Sequence, residues 1–455
     1  MSDASPQVAS DYKVPKGNPW QQAWKIAAVI GAVGVVMAGA GYAADPRRFA
    51  FAYLMGFAAV MTVALGSVFF IIMQHLTAAG WSVTVRRTAE LLASGMVIVP
   101  ILFLPNLLST DVLYPWWQHH EEGVAHAQEH ADEHGHGDHG HDHAAGADAD
   151  HAHGDEAHAA GHEGHDPAHA MHQKILEKKL GFLNQPFFIV RLILYFAIWM
   201  FVALRFFRYS TAQDANGDPQ WTLKAQRFAP AATFLFGFSL TFAAFDWLMS
   251  MEPNWYSTMF GVRTFAASIL VALALIILIT LGLKRAKVVG EEISVEHYHD
   301  LGKLMFGFLI FWAYVSFSEF MLIWYAAIPE ETAYYHRRWD FEWWRTISIA
   351  IVVVKFIIPF YLVMSRNAKR NLGLLGLGAG WICFMHLVEL YYWVMPYYAD
   401  GADVSLSITG LATDIGCYMA TLGIYFAVVF RRMLDHPVIP IRDPRIGRAL
   451  HFVNA

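Results

Sequence analysis

The chain has 455 residues, of which 56% are hydrophobic and 15% are charged, and its formal net charge is −6. A soluble chain of this length ordinarily carries about a quarter charged residues, so the composition excludes an ordinary soluble protein. The slight acidity gives no reason to expect nucleic acid as a partner. Both cysteines, Cys383 and Cys417, lie in apolar runs, which excludes a disulfide framework or a four-cysteine iron–sulfur site within this chain.

Long apolar runs follow a polar N-terminal segment and predict an all-α integral membrane protein with about ten transmembrane helices. Each run is near the roughly 20 residues that a helix needs to cross the hydrocarbon core. Backbone groups in lipid must pair within their own segment, which favours helices. The predicted spans are Trp24–Ala43, Phe49–His75, Thr88–Leu108, Pro186–Phe207, Pro230–Met249, Ser257–Leu283, Leu301–Ala327, Trp343–Ser365, Leu372–Met395 and Ile408–Phe430.

Lysine and arginine concentrate in the loops after even-numbered spans and in the C-terminal tail, whereas the other loops are mostly acidic or neutral. Exceptions are Arg47, Arg48, Arg337 and Arg338. Because positively charged loops stay in the cytoplasm, we expect both termini to be cytoplasmic. The organisation is then a cytoplasmic segment (1–23), helices one to three (24–115), a periplasmic His-rich loop (116–180), helices four to ten (181–430) and a cytoplasmic tail (431–455).

The segment from about His119 to His172 is dense in His, Asp, Glu, Ala and Gly. It has almost no apolar residues to bury, so it is predicted to be a disordered loop. Imidazoles beside carboxylates suit zinc, copper or nickel, and the weak candidate ligands are His134, His136, His139, His141 and His143. Because the repeats are irregular, a solvated spacer that binds metal loosely is the favoured interpretation, and no firm metal site is predicted.

Charged side chains inside a span are costly and by default indicate a functional site. The topology places Glu319, Lys355, His386 and Glu389 at middle to outer depth in spans seven, eight and nine. His386 and Glu389 are three residues apart and therefore share one helical face. We expect these four residues to form one buried polar cluster used for proton transfer. The alternative is that Lys355 and a carboxylate form a buried ion pair that only fixes helix packing.

Five further ionisable residues are candidates for a proton path. Asp246 ends the fifth span, Arg263 opens the sixth, and Asp414 lies early in the tenth. Glu90 and His75 are weaker candidates, because they lie near the cytoplasmic ends of their spans and can simply reach the interface. The spans offer no pair of histidines at matching depth for a b-type haem, so the sequence predicts neither a bound cofactor nor a catalytic residue in this chain.

Five stretches carry motifs more specific than general hydrophobicity: LGSVFFIIMQHLTAAGWSVTVRRTAE (Leu65–Glu90), AAFDWLMSMEPNWYSTMFGV (Ala243–Val262), HDLGKLMFGFLIFWAYVSF (His299–Phe317), FMLIWYAAIPEETAYYHRR (Phe320–Arg338) and HLVELYYWVMP (His386–Pro396). In this order they span most of the apolar chain. They resemble the polysulfide-reductase-type, NrfD-like membrane family, and within it the second of the two NrfD-like membrane proteins of bacterial alternative complex III. The resemblance does not cover the His-rich segment.

The resemblance implies two four-helix bundles with one flanking helix at each end. It also implies a cofactor-free subunit of a quinol:cytochrome c, or quinol:terminal oxidase, oxidoreductase, embedded among membrane lipids. Iron–sulfur clusters and haem c are then expected in partner subunits, and a sister NrfD-like subunit carries the main quinol site. Subunits of this type are implicated in quinone contact and proton translocation. Glu319, Lys355 and Glu389 stand where Gln, His and Asp are more usual in the family.

Two other functions stay open from the residues. The chain can be a structural anchor for peripheral redox subunits, because buried polar residues can serve packing alone. The His-rich segment also brings a divalent-metal transporter into consideration. That function is disfavoured because the fourth span, FFIVRLILYFAIWMFVALRF, contains neither His nor Asp, and no span contains a His-x-x-x-Asp motif.

Overall fold

The computed structural model describes residues 12–117, 175, 178–399 and 407–454. These residues are mostly helical, and none of them lies in a β-strand. Among these described residues, ten helices are long and apolar enough to cross a membrane, so this is an all-α, multi-pass membrane protein, as the apolar runs predict. The ten are α1 (Pro19–Ala44), α2 (Pro46–Leu76), α3 (Val83–Leu107), α4 (Gln185–Asn216), α5 (Gln220–Met251), α6 (Met259–Arg285), α7 (Val295–Ala326), α8 (Glu342–Met364), α9 (Leu372–Tyr398) and α10 (Ile408–Asp435).

Several helices extend beyond the predicted spans. α4 ends at Asn216 rather than Phe207, because the helix continues through polar residues to Gly217, whose left-handed φ of 71° closes it. α5 begins at Gln220 rather than Pro230. Hydropathy locates the lipid boundary, whereas the helical hydrogen bonds continue into the aqueous layer until a residue breaks them.

The helices form two four-helix bundles and one additional pair. Helices α2–α5 pack around one another, as do α6–α9, and the two most buried helices, α2 and α6, pack together and join the bundles. The first and last helices pack on each other and on α2. A Cβ added to Gly34 would lie 2.2 Å from the backbone nitrogen of Ala420, so this close approach of α1 and α10 requires glycine.

Short helices lie outside the ten spans: Thr110–Leu113, Pro329–Trp339, Arg366–Arg370 and Ile446–Leu450. The second of these carries the buried Arg338, which donates to the carbonyls of Tyr334, Tyr392 and Trp393. Pro396 in α9 has no N–H, so the carbonyl of Tyr392 lacks its usual helical donor. Arg338 supplies that donor and fixes the short helix against the end of α9.

The N-terminal segment and the C-terminal tail meet at one end of the molecule, where the N–H of Val438 donates to the carbonyl of Tyr12 at 2.8 Å. We call this end the terminal face and the opposite end the loop face. Ten spans return the chain to the face from which it started, so the contact agrees with the count of helices.

Candidate functional site

A buried ion pair lies inside the second bundle. Lys355 of α8 contacts Glu389 of α9, and the two side chains are 1% and 0% exposed. The indole Nε1 of Trp312 in α7 donates to the other oxygen of Glu389 at 2.7 Å. The Lys355 Nζ also lies 4.1 Å from the centre of that indole ring, within the range of a cation–π interaction. Three helices thus converge on one carboxylate.

Lys355 occupies a π-helical turn, Ile351–Ile357, in the middle of α8. The turn ends beside Pro359, which has no N–H and therefore cannot donate to the carbonyl of Val354, the acceptor five residues earlier in π-helical spacing. The carbonyl of Val354 accepts instead from Trp381 Nε1 at 2.7 Å. A π-turn re-aims the side chains that follow it, and such turns recur at functional sites.

His386 lies between this ion pair and the first bundle. Its Nδ1 is 3.5 Å from Glu389 Oε2, and its Nε2 is 2.8 Å from the hydroxyl of Thr62 in α2. The Thr62 hydroxyl also lies 2.8 and 3.0 Å from the carbonyls of Ala58 and Ala59. The sequence did not indicate Thr62, because the hydroxyl of a threonine in an apolar span ordinarily donates to a backbone carbonyl of its own helix.

Two arrangements of protons fit this geometry. If the Thr62 hydroxyl donates to its own helix, its oxygen accepts from His386 Nε2–H. If the hydroxyl donates to Nε2 instead, the ring proton sits on Nδ1 and faces Glu389. Uptake of a proton at one ring nitrogen, loss of a proton from the other and rotation of the Thr62 hydroxyl interconvert them, so the geometry allows His386 to relay a proton between Thr62 and the carboxylate.

Glu319 does not join Lys355, and the expected single cluster is in fact two neighbouring ion pairs. Glu319 in α7 accepts from Arg263 Nη1 of α6 at 2.9 Å, and both side chains are buried. The guanidinium of Arg263 lies 5.0 Å from the ring centre of Trp393. Trp393 lies four residues after Glu389 on α9, so the two ion pairs are neighbours in the same bundle.

Several buried polar atoms around the outer pair have no hydrogen-bond partner within the described residues. They are Arg263 Nε, Glu319 Oε1, Ser316 Oγ, Tyr334 Oη and Trp393 Nε1. Buried polar atoms in folded proteins are nearly always paired with protein, water or ligand groups. The Arg263–Glu319 pair therefore provides donors and acceptors that suit water or the polar group of a small molecule.

The other two carboxylates predicted at membrane depth are fully engaged in ion pairs. Asp246 accepts from Arg191 Nε and Nη2, each at 2.8 Å, and from the hydroxyl of Tyr195 at 2.7 Å. Asp414 accepts from Arg48 Nη2 at 2.7 Å and Nε at 3.2 Å. Such bidentate pairs leave little capacity for proton exchange and are typical of structural links between helices. Arg191, near the start of the predicted fourth span, is the sequence signal that could have indicated the first pair.

Glu90 and His75 are buried in the protein rather than exposed at the ends of their helices. Glu90 is fully buried, accepts a hydrogen bond from Arg86 at 2.8 Å and forms an ion pair with Arg87 at 3.0 Å. His75 is also buried, and its ring stacks on Phe206 with centroids 5.3 Å apart. Both residues are covered because the C-terminal tail folds over this end of α3.

The tail is held by a cluster of ion pairs at the terminal face. Asp443 accepts from Arg86 at 2.8 Å and from Arg445 at 3.1 Å, while Arg87 reaches Asp214 of α4 at 2.5 Å. Burial by itself raises the pKa of Asp443, but the charges and hydrogen bonds of Arg86 and Arg445 outweigh it and hold that pKa well below its ordinary value. The tail is therefore part of the folded structure.

The sequence matches no protein-family model and no curated protein. Assignment of a function rests on the motifs and on the geometry above. Within the described residues, no group of three or more His, Cys, Asp or Glu side chains is arranged to hold a metal ion. The His-rich stretch and its candidates, His134 to His143, lie outside the described residues.

Proposed function

We propose that this chain is a membrane subunit of a quinol-oxidising respiratory complex of the alternative complex III type, in which it handles protons. The observation that carries the proposal is the buried array of Thr62, His386, Glu389 and Lys355. Quinol oxidation releases protons together with electrons, so such a complex needs bases and a path for protons inside the membrane. The array supplies exchangeable groups in one connected line.

The geometry supports a relay toward the loop face. A proton that reaches His386 from the Thr62 side makes an imidazolium whose Nδ1–H faces Glu389. Transfer to Glu389 neutralises the carboxylate and weakens its attraction for Lys355, because that attraction depends on opposite charges at close range. Arg263 opens α6 at the loop face and Glu319 lies near the loop-face end of α7, so the second ion pair stands next on the way out.

The polar atoms of the Arg263–Glu319 pair that lack partners among the described residues are the features that favour quinone contact. A quinol carries two hydroxyl groups, which need an acceptor such as Glu319 Oε1 and a donor such as Arg263 Nε. The neighbouring ring of Trp393 offers an apolar surface for the head group. Such a site would place a proton-releasing substrate directly beside the relay.

We further propose an inner-membrane location with cytoplasmic termini and a periplasmic His-rich loop. Three of the four arginines that break the charge alternation do not act as free loop charges. Arg48 pairs with Asp414, Arg337 pairs with Glu252 at 3.0 Å, and Arg338 is buried against backbone carbonyls. The excess of free lysine and arginine charges in the loops after even-numbered spans is therefore larger than a count from the sequence indicates.

The electron carriers of the proposed complex lie in other subunits. The motif resemblance supplies these partners: an iron–sulfur subunit, haem c subunits, a sister NrfD-like subunit with the main quinol site, and a cytochrome c or terminal oxidase as acceptor. Purification in mild detergent tests the proposal directly. We expect c-type haem, iron–sulfur clusters and quinol:acceptor activity to co-purify with the chain. Recovery of the chain without any redox subunit would overturn the assignment.

A structural anchor is the second candidate, and the direct pairing of Lys355 with Glu389 favours it. A buried pair of this kind can fix helix packing while its charges stay in place. The two functions predict different rates of quinol turnover when both Lys355 and Glu389 are neutralised. Nothing among the described residues supports a divalent-metal transporter.

A further inference from the structure

A groove of about 660 Å³ opens between α1, α6 and α10. Ile26 and Ile30 of α1 line one side, Ile279 of α6 lines another, and Leu422 and Phe426 of α10 complete the walls. Ile26 is 58% exposed and Ile30 is 42% exposed, so the groove opens toward the surrounding lipid. Leu387 of α9 also lines the groove, but Lys355, His386 and Glu389 do not.

The groove exists because α1 packs closely on α10 but contacts α6 mainly through Trp20. α1 packs on α10, and a Cβ added to Gly423 would lie 2.4 Å from the backbone nitrogen of Gly31. Toward α6 the contact runs through Trp20, whose Nε1 donates to the carbonyl of Gly282 at 3.2 Å. The ring of Trp20 also packs edge-on against Phe430 at 5.5 Å and closes the groove at the terminal face.

The walls offer hydrocarbon and no free hydrogen-bonding side chain. Trp20 and Tyr418 carry the polar N–H and O–H groups among the lining residues, and both groups are occupied. The first donates to Gly282, and the hydroxyl of Tyr418 donates to the carbonyl of Leu387 at 2.9 Å. A quinone head group buried here would lose its hydrogen bonds to water without replacement, which is costly. The walls therefore select a hydrocarbon chain.

The length of the groove fits one acyl chain. Its lining on α10 runs from Ile415 to Phe430, which at about 1.5 Å per residue is roughly 22 Å. That distance is more than half of the roughly 30 Å hydrocarbon core and reaches to the terminal face. A chain that enters at this face would lie along the groove for its full length.

Exposed basic side chains lie at the terminal-face ends of the three helices that form the groove. Lys16 and Lys25 belong to the segment that starts α1, Arg285 ends α6, and Arg431 follows Phe430 in α10, and all four side chains are exposed. Arg431 also pairs with Asp435 at 2.9 Å, which leaves a net positive charge around the opening. Basic side chains at this depth attract anionic lipid head groups.

We propose that this groove is a binding site for an anionic phospholipid, with one acyl chain between α1, α6 and α10 and the phosphate against the cations at the terminal face. The lipid fills the gap that the close packing of α1 on α10 leaves beside α6. The site is independent of the proposed role in proton transfer.

The first test compares Ile30→Trp, which fills the groove, with Val33→Trp, which places the same ring on α1 outside it. The two positions are 42% and 45% exposed, so they are matched in their access to lipid. The intact complex is purified, washed extensively in detergent, and its retained phospholipids and quinones are quantified by mass spectrometry. We expect retained anionic phospholipid to fall several-fold in Ile30→Trp and to stay at the parental level in Val33→Trp. Equal retention in both variants, or loss of quinone in place of phospholipid, would overturn the proposal.

The second test addresses the head group. Thermal unfolding of the complex is followed with added phosphatidylglycerol or phosphatidylcholine. We expect phosphatidylglycerol to raise the midpoint more, and the double variant Lys25→Gln/Arg431→Gln to remove most of that difference. Lys224→Gln, a change at an exposed lysine near the start of α5, should leave the difference between the two lipids unchanged. An equal response of the parental protein to both lipids would contradict an anionic ligand.

Discussion

The Nε2 atom of His386 lies 2.8 Å from the hydroxyl of Thr62, and this contact links the two four-helix bundles through their buried interiors. α2 belongs to the first bundle and α9 to the second, and the other ring nitrogen of His386 faces Glu389. A histidine in this position can take a proton from one bundle and give it to the other.

Replacement of Thr62 by valine removes the hydroxyl and keeps the shape of the side chain. We expect normal assembly but slower quinol turnover, because His386 loses the partner that holds its ring and exchanges its proton. Thr62→Ser retains the hydroxyl and should turn over near the parental rate. Steady-state quinol oxidation by the purified complex is the measurement. Equal rates for the valine and serine variants would remove Thr62 from the relay.

Neutralisation of Glu389 and of its partner separates proton transfer from packing. Glu389→Gln leaves the buried ammonium of Lys355 without its counter-ion, which costs about 3–5 kcal/mol, so less intact complex is expected. The double variant Lys355→Gln/Glu389→Gln removes both charges and should restore the amount of complex. If the pair transfers protons, turnover of the double variant stays low. Restored turnover would identify the chain as a structural anchor.

Glu319→Gln retains a hydrogen-bond acceptor for Arg263 but removes the titratable proton. We expect the complex to assemble and to release fewer protons on the loop side per quinol oxidised. Asp414→Asn is the matched control, since Asp414 also forms a buried pair with an arginine, Arg48, but lies outside the proposed relay. Proton release is measured with a pH-sensitive dye outside proteoliposomes. A similar decrease in both variants would show a general loss of packing.

Asp443→Asn should release the C-terminal tail, because Arg86 and Arg445 lose a buried counter-ion, at a cost of about 3–5 kcal/mol. Asp435→Asn, at an exposed pair with Arg431, should change stability by less than about 1 kcal/mol. Limited proteolysis of the tail, together with thermal unfolding, distinguishes the two. Similar tail cleavage in both variants would show that the ion pairs of Asp443 do not hold the C-terminal tail.

The acid dependence of the tail follows from the same carboxylate. The pKa of Asp443 is lower in the folded protein than in the unfolded chain. Its stabilising contribution is therefore complete above the ordinary aspartate pKa of about 4 and is lost as the pH falls through the lower folded value. Protease protection of the tail should hold from neutral pH down to about pH 5 and decrease only in stronger acid. A loss of protection near neutral pH would show that another group controls the tail.

The orientation can be tested with single cysteines at Gly447 and Ala333. A Cβ at Gly447 would meet no atom within 4 Å, and Ala333 is exposed in the short helix at the loop face. In whole cells a membrane-impermeant thiol reagent should label Ala333→Cys and leave Gly447→Cys unlabelled. The reverse pattern would invert the proposed topology, and permeabilised cells provide the control for reactivity.

The sequence by itself determined the number of helices and the depth of most ionisable residues. The length of each apolar run matches the thickness of the hydrocarbon core, so each run predicts one spanning helix. The position of a charged residue within its run gives its depth. His386 and Glu389 share a face because helical spacing requires it. The same information placed Lys355 opposite them, and the structure pairs Lys355 with Glu389.

Only the tertiary structure decided which side chains meet. Depth does not fix how each helix is rotated about its axis, and that rotation depends on the packing of neighbouring helices. Glu319 therefore faces Arg263 rather than Lys355, and Thr62, which carries no charge to mark it, faces His386. Where hydropathy is uniform around a helix, small residues and the π-turn around Lys355 set the rotation, and with it the partners of each buried charge.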